Sequence, residues 1–244
     1  MFRLFFVALF LIAFVILTAP IALIAWIIGF FNSKLRYQIS MITVGIALKI
    51  LFFLTGSKLT VNGLENIPQE SVLFIGNHTS YFDIVVSYMT INHRTGFIGK
   101  DDLAKIPGLN WWLLLLDGLF LNRKDPRKGL EMVNKAADNI TKGISVFIFP
   151  EGTRSKTGEL GEFKEGSFKI AAKSNCKIVP VAIKGTADIF ENHLPSIKPS
   201  NVTITFGEAI ETVSLSRVEK KTLGAMTRSR IEEILKNDNL TKSK

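Results

Sequence analysis

The stretch GNHTSYFDI, residues 76–84, places His78 five positions before Asp83, directly after the apolar run SVLFI. An imidazole that titrates near neutral pH, held by a carboxylate, is a common device for taking a proton from a hydroxyl. Alone the pair is weak evidence. Three histidines and eight aspartates in 244 residues give a chance His-x4-Asp match about one time in ten. Five helical residues turn through about 500°. The two side chains therefore meet only if His78 lies in the loop after a strand and Asp83 in the first turns of the next helix. Asn77, Thr79 and Ser80 are turn and capping types and favour that arrangement.

Two further clusters end apolar runs. In FPEGTRS, residues 149–155, Gly152 permits a tight turn, and Thr153, Arg154, Ser155 and the backbone amides form an anion-binding corner. GLFLNRK, residues 118–124, ends in Arg123 and Lys124. Each cluster by itself reads as a polar strand end. All three at the C-terminal ends of predicted strands match the place where α/β folds gather their sites.

The elements that must hold these clusters are seven apolar runs: KLTVNG, SVLFIGN, TGFIGK, GLFLNR, ISVFIFP, KIVPVAIK and NVTITFG. Several are apolar throughout, as strands buried on both faces are. Helical patterns fill 81–92, 101–116, 126–142, 165–174 and 214–236, the third opening on Asp125 as N-cap with Pro126 behind it. The alternation predicts an α/β domain with a mixed, largely parallel sheet covered by helices. At 244 residues and 47% apolar, one core is expected.

Residues 4–31 carry no charge over 28 positions. As one helix they would reach about 42 Å, enough to cross a bilayer; a break at Pro20 would leave two pieces too short for a comfortable crossing. The apolar run is too long for a cleaved signal peptide. Residues 37–56, apolar apart from Lys49 and a few small polar side chains, read as an interfacial helix with Lys34, Arg36 and Lys49 toward anionic head groups. The expected division is 1–56, membrane-anchoring helices, and 57–244, the catalytic domain. The net charge of +9 calls for an anionic partner. Cys176 stands alone, which excludes an internal disulfide and any cysteine zinc cluster.

The blocks NHTSYFD, GLFLNR, FPEGTRS and VPVAI (179–183), with FKEG (163–166) and the lysine ending GFIGK, resemble in order and spacing those of the membrane-bound glycerolipid acyltransferases, and among them the 1-acyl-sn-glycerol-3-phosphate acyltransferases. The resemblance covers roughly residues 58 to 210. It implies a glycerol-3-phosphate acyltransferase-like fold and acyl transfer from acyl-CoA or acyl carrier protein to the sn-2 hydroxyl of lysophosphatidic acid, giving phosphatidic acid. His78 would be the base and Asp83 its orienter, with the acceptor's hydroxyl as nucleophile and no acyl-enzyme. Arg123 and Arg154 would take the phosphate through their planar forks, with Thr153 and Gly152 beside it and Lys100 adding charge. Glu151 would orient Arg154 or the glycerol backbone. No cofactor or metal is implied beyond the acyl co-substrate. The partners are lysophosphatidic acid, the acyl carrier and the bilayer, not nucleic acid. The catalytic domain would face the cytoplasm at a bacterial inner membrane, because thioester donors are cytosolic.

Competing readings are acylation of another lysolipid, such as lysophosphatidylglycerol, a lyso-ornithine lipid or a sugar lipid; a hydrolase using Ser80 or Ser155; and a non-catalytic membrane or nucleic-acid binder. Neither serine sits in a Gly-x-Ser-x-Gly elbow, and a pure binder has no use for His78 with Asp83. Trp111 and Trp112 are candidates for lipid contact. His93 and His193, without partner patterns, are expected in exposed loops.

Overall fold

The computed structural model describes residues 2–122, 124–216 and 219–240. Two long helices, α1 (Phe2–Gly29) and α2 (Ser33–Thr55), precede the strands β1 (Lys58–Asn62), β2 (Leu73–Gly76), β3 (Thr95–Lys100), β4 (Leu119–Leu121), β5 (Ser145–Ile148), β6 (Ile178–Lys184) and β7 (Asn201–Phe206). Between and after them lie α3 (Phe82–Thr90), α4 (Leu109–Leu115), α5 (Pro126–Thr141), α6 (Lys169–Ser174) and α7 (Leu223–Leu240). The seven strands form one sheet in the order β1-β7-β6-β2-β5-β3-β4. The run from β6 to β4 is parallel throughout, β7 is antiparallel to β6, and β1 is parallel to β7. This is the expected mixed, largely parallel sheet, and it brings the C-terminal ends of five strands to one edge.

Alternate strand residues enter two cores. Phe74, Phe97, Phe147, Val179 and Val181 pack with α1 to α4, whereas Leu73, Ile75, Val146, Ile148 and Ile178 pack under α5 to α7. All seven runs are strands; the central β2, β5 and β6 are buried on both faces, whereas the edge strand β1 is not. Helix ends follow the sequence less closely. The expected helix at 101–116 is a 3-10 turn (Asp101–Lys105) followed by α4. Pro107 disfavours helix at Ile106, and Gly108 takes φ +82, with Val15 of α1 so close that a Cβ would lie 2.6 Å from its Cγ1. The last helix starts at Leu223 rather than 214.

Helix α1 continues through Pro20, which costs one amide donor without ending it. Helix α2 opens on Asn32, whose side chain accepts from Leu35 N, and closes on Gly56 at φ 73. Its Tyr37, Val44, Leu51 and Phe52 are buried while Ile42, Ile46 and Phe53 are exposed. One apolar face thus packs on the domain, and the helix is not free on both sides as a purely interfacial one would be. At the α1–α2 turn, Arg36 pairs with Asp117, and Arg94 Nε donates to the same carboxylate at 2.6 Å.

Candidate active site

Strand β2 ends at Gly76, and the next side chain extends the ladder in place of backbone. Asn77 Nδ2 donates to Ile183 O and Asn77 Oδ1 accepts from Ile183 N, both at 2.8 Å. Asn77 is therefore a bridge to β6 rather than a helix cap, and the chain beyond it leaves the sheet as a loop carrying His78. Ser80 keeps a capping contact, accepting from Phe82 N at 3.0 Å.

Asp83 lies in the first turn of α3 and is fully buried. Its Oδ2 accepts from His78 Nδ1 at 2.8 Å, Thr79 N at 2.7 Å and Ser80 N at 2.8 Å, and its Oδ1 from Thr186 Oγ1 at 2.5 Å. A carboxylate has acceptor sites for four donors and none to give, so the network assigns the ring proton to Nδ1 and leaves the lone pair on Nε2. Since Thr186 gives its proton to Asp83, Thr79 Oγ1 is the donor in its 3.2 Å contact with Thr186.

The FPEGTRS loop grips His78 from the other side. Phe149 stacks on the imidazole, with centroids 4.1 Å apart and planes at 15°. Glu151 Oε1 accepts from His78 N at 2.8 Å, and Ser155 N donates to His78 O at 2.8 Å. Ring plane, tautomer and backbone of His78 are thus all set by neighbours. Arg154 is fixed beside it: Nη1 donates to Glu191 Oε1 at 2.9 Å, Nη2 to the Tyr81 hydroxyl at 3.1 Å, and the guanidinium lies 3.7 Å from the Tyr81 ring centroid.

A base whose second ring nitrogen has no partner among the described residues, with a guanidinium anchored to the same loop through Tyr81 and Glu191, can take a proton from a hydroxyl and hold an anion. The sequence matches the acyltransferase family over residues 58–184, from β1 to the end of β6. A 1-acyl-sn-glycerol-3-phosphate acyltransferase of Borreliella burgdorferi is 33% identical over 80% of this chain and 78% of its own length. The chain belongs to the acyltransferase family. A chloroplastic 1-acyl-sn-glycerol-3-phosphate acyltransferase of Arabidopsis thaliana is 37% identical over 54% of this chain, a match that spans only 37% of that protein. The crystal structure of the 1-acyl-sn-glycerophosphate acyltransferase PlsC from Thermotoga maritima superposes with a TM-score of 0.78 at 25% identity, covering 96% of this chain and 95% of the other.

In this acyltransferase the remaining expected site residues fare differently. Glu151 does not touch Arg154; both its oxygens accept amides, from His78 N and from Gly161 N at 3.0 Å. Gly152 takes φ +74, and a Cβ there would lie 2.9 Å from Lys164 Nζ. Of the amides expected in an anion corner, Gly152 N turns inward to Phe149 O and Ser155 N to His78 O. The Thr153 side chain is exposed. Lys100 ends β3 on the surface, paired with Asp102 rather than facing His78. Arg123 lies outside the described residues. Trp112 is buried against Phe14 of α1, and Trp111 is exposed. His93 is half-buried, edge-on to Phe74, and burial holds its pKa below the usual value, so the exposed-loop expectation fails there; His193 is likewise half-buried. Thr186, Glu191, Tyr81 and Phe149 are the side chains that the motifs did not single out for these roles. For Thr186 a signal existed: it follows a strand end, as His78 does.

Beside Phe149 a small recess of about 60 Å³ is lined by Ile98, Leu121, Ile148, Phe149, Gly152 and Lys164, among others.

Burial raises the Glu151 carboxyl above its usual pKa, opposed by the two amides it accepts. A raised folded-state value stabilises the fold most below the ordinary glutamate range, and the contribution disappears as pH rises through the raised value. Glu151→Gln removes this titration. The wild-type melting temperature, relative to the variant's, is expected to decline across that window and then stay flat toward neutral pH. Transfer at neutral pH should fall about tenfold, because a neutral amide cannot accept from both His78 N and Gly161 N.

Proposed function

We propose that this acyltransferase moves a fatty acyl chain from a thioester, of CoA or acyl carrier protein, to the sn-2 hydroxyl of a 1-acyl-sn-glycerol 3-phosphate. The observation that carries the reading is the free Nε2 of a His78 whose Nδ1 is committed to Asp83 at 2.8 Å. Nε2 takes the hydroxyl proton as the oxygen attacks the thioester carbonyl. The C–S bond then breaks, and the imidazolium returns the proton to the leaving thiolate. Asp83 stabilises the transient imidazolium, and the acceptor oxygen itself forms the new ester, so no acyl-enzyme intervenes. Arg154 receives the phosphate.

Two helices are long and apolar enough to cross a membrane, yet their packing favours lying along one. Tyr37 of α2 accepts from Thr95 N at 3.0 Å and donates to His93 O at 3.3 Å, while the other end of α2 runs directly into β1. These points are about 27 Å apart on the helix, so α2 lies against the domain along its length. Near its midpoint α1 touches α4, through Phe14 on Trp112. We read the hairpin as seated in the leaflet on the domain's side, with Leu9, Ile12, Ile16, Ile42 and Ile46 outward. Cys176 is buried, so Phe31→Cys in the α1–α2 turn offers a single accessible thiol. A membrane-impermeant maleimide is expected to label it only from the side carrying the domain; labelling from the opposite side would mean that the helices span.

The activity test supplies membranes carrying the protein with 1-acylglycerol 3-phosphate and either acyl-CoA or acyl carrier protein, and follows phosphatidic acid. Lysophosphatidylglycerol serves as the competing acceptor. Release of fatty acid from lysolipid, with transfer from neither donor, would establish the hydrolase instead.

A further inference from the structure

The connection after β6 sends a third acidic side chain into the site, beside Asp83 and Glu151, and no motif contains it. Glu191 is largely buried, with 16% of its side chain exposed, and holds three donors. Its Oε2 accepts from Ser80 Oγ at 2.6 Å, and its Oε1 accepts from Tyr81 N at 2.9 Å and from Arg154 Nη1 at 2.9 Å. Ser80 and Tyr81 stand at the entry to α3, in the loop that positions Asp83 and His78. Arg154 belongs to the separate loop after β5. One carboxylate thus joins the base loop to the guanidinium.

We propose that Glu191 is the positioning residue that aims Arg154 at the phosphate of the acceptor. The assignment rests on the proposed function and deepens it. An arginine on a loop end has several rotatable bonds and many rotamers. Here Glu191 fixes Nη1, the Tyr81 hydroxyl fixes Nη2, and the Tyr81 ring covers one face of the fork. Two of the five guanidinium N–H groups are used. The other three have no partner among the described residues, and they remain for phosphate oxygens. Because the same carboxylate holds Ser80 and Tyr81, phosphate bound on Arg154 sits in a fixed relation to His78 Nε2. The Glu191 charge also lowers the net positive charge at the site, which favours exchange of the phosphate product over its retention.

The test measures kcat and KM for 1-acylglycerol 3-phosphate, together with thermal midpoints, for Glu191→Gln, Glu191→Asp and Tyr81→Phe. Gln preserves the shape and a contact to Ser80 or Tyr81 while removing the charge that holds Arg154. It is expected to raise KM by about tenfold while kcat at saturation stays within about threefold. Asp retains the charge with a shorter reach and should recover part of the KM. Phe keeps the stacked face, loses one hydrogen bond, and should raise KM less than Gln does. A merely structural role for Glu191 would lower the midpoint, and kcat with it, at unchanged KM; that pattern, or a wild-type KM in the Gln variant, overturns the assignment. A wild-type protein inactive with this acceptor would overturn the proposed function itself, a separate outcome read before any variant is made.

Discussion

His78→Ala is expected to lower kcat for acyl transfer by about 10²- to 10⁴-fold, the range in which a positioned general base contributes, while the protein stays folded. The imidazole is largely buried, with 16% of its side chain exposed, but its specific contacts with the fold are few: one stacking contact with Phe149 and one hydrogen bond to Asp83, which keeps three other donors. Its removal should cost about 1 kcal/mol of stability. KM for the phosphate-bearing acceptor should change little, because Arg154 and its two partners are untouched. The measurement is single-turnover or saturating transfer to 1-acylglycerol 3-phosphate, with a thermal melt of the same preparation. Transfer that survives the substitution within about twofold would sink the assignment of His78 as base. Loss of activity with a matching loss of folded protein would leave the role undecided, so Phe149→Ala supplies the second reading. That change leaves His78 and Asp83 in place and frees the ring plane, and it should lower kcat by about tenfold, the penalty of imperfect orientation.

The central strands were legible in the sequence because a sheet covered on both faces demands continuous apolar runs, the edge pair β1 and β7 because apolar residues alternate with polar ones, and each run begins and ends near a turn signal. Helix ends were less legible where tertiary contact decided them. The break at Ile106–Gly108 follows from Pro107 in part, but Gly108 takes its conformation with α1 pressed against it. The site divides in the same way. His78 and Asp83 are five residues apart and sit where a strand end meets a helix start, so local geometry could bring them together. Thr186 and Glu191 reach the same loop from 103 and 111 residues away. They arrive only because β6 is the neighbour of β2 in the sheet, and strand order is not written in local pattern. Glu151 follows the same pattern: of its two expected partners, Arg154 is held by Glu191 from a distant loop, while the Glu151 carboxylate is turned back to two amides.

Asp83→Asn should damage both stability and turnover, and the two losses separate its roles. At full burial the carboxylate satisfies two backbone amides, one imidazole and one hydroxyl. The best the amide can do is direct its oxygen at the three N–H donors and its NH₂ at Thr186. Thr186 can then accept, because its hydroxyl rotates. A neutral oxygen with two lone pairs is left to serve three donors. At least one buried N–H goes unpaired, and the expected cost is about 2–3 kcal/mol, read as a shift in denaturant midpoint. Thr79 N and Ser80 N are held in place by the backbone, so His78 is the donor best able to escape, by moving its proton from Nδ1 to Nε2. That tautomer has no lone pair facing the acceptor hydroxyl. Turnover per folded molecule should therefore fall by about 10³- to 10⁴-fold, the scale known for losing the orienting carboxylate of a catalytic triad. The nitrogen shifts of the His78 ring report the exchange directly, with the protonated nitrogen passing from Nδ1 in the wild type to Nε2 in the variant. Wild-type turnover per folded molecule in the Asn variant would reduce Asp83 to an anchor for the loop.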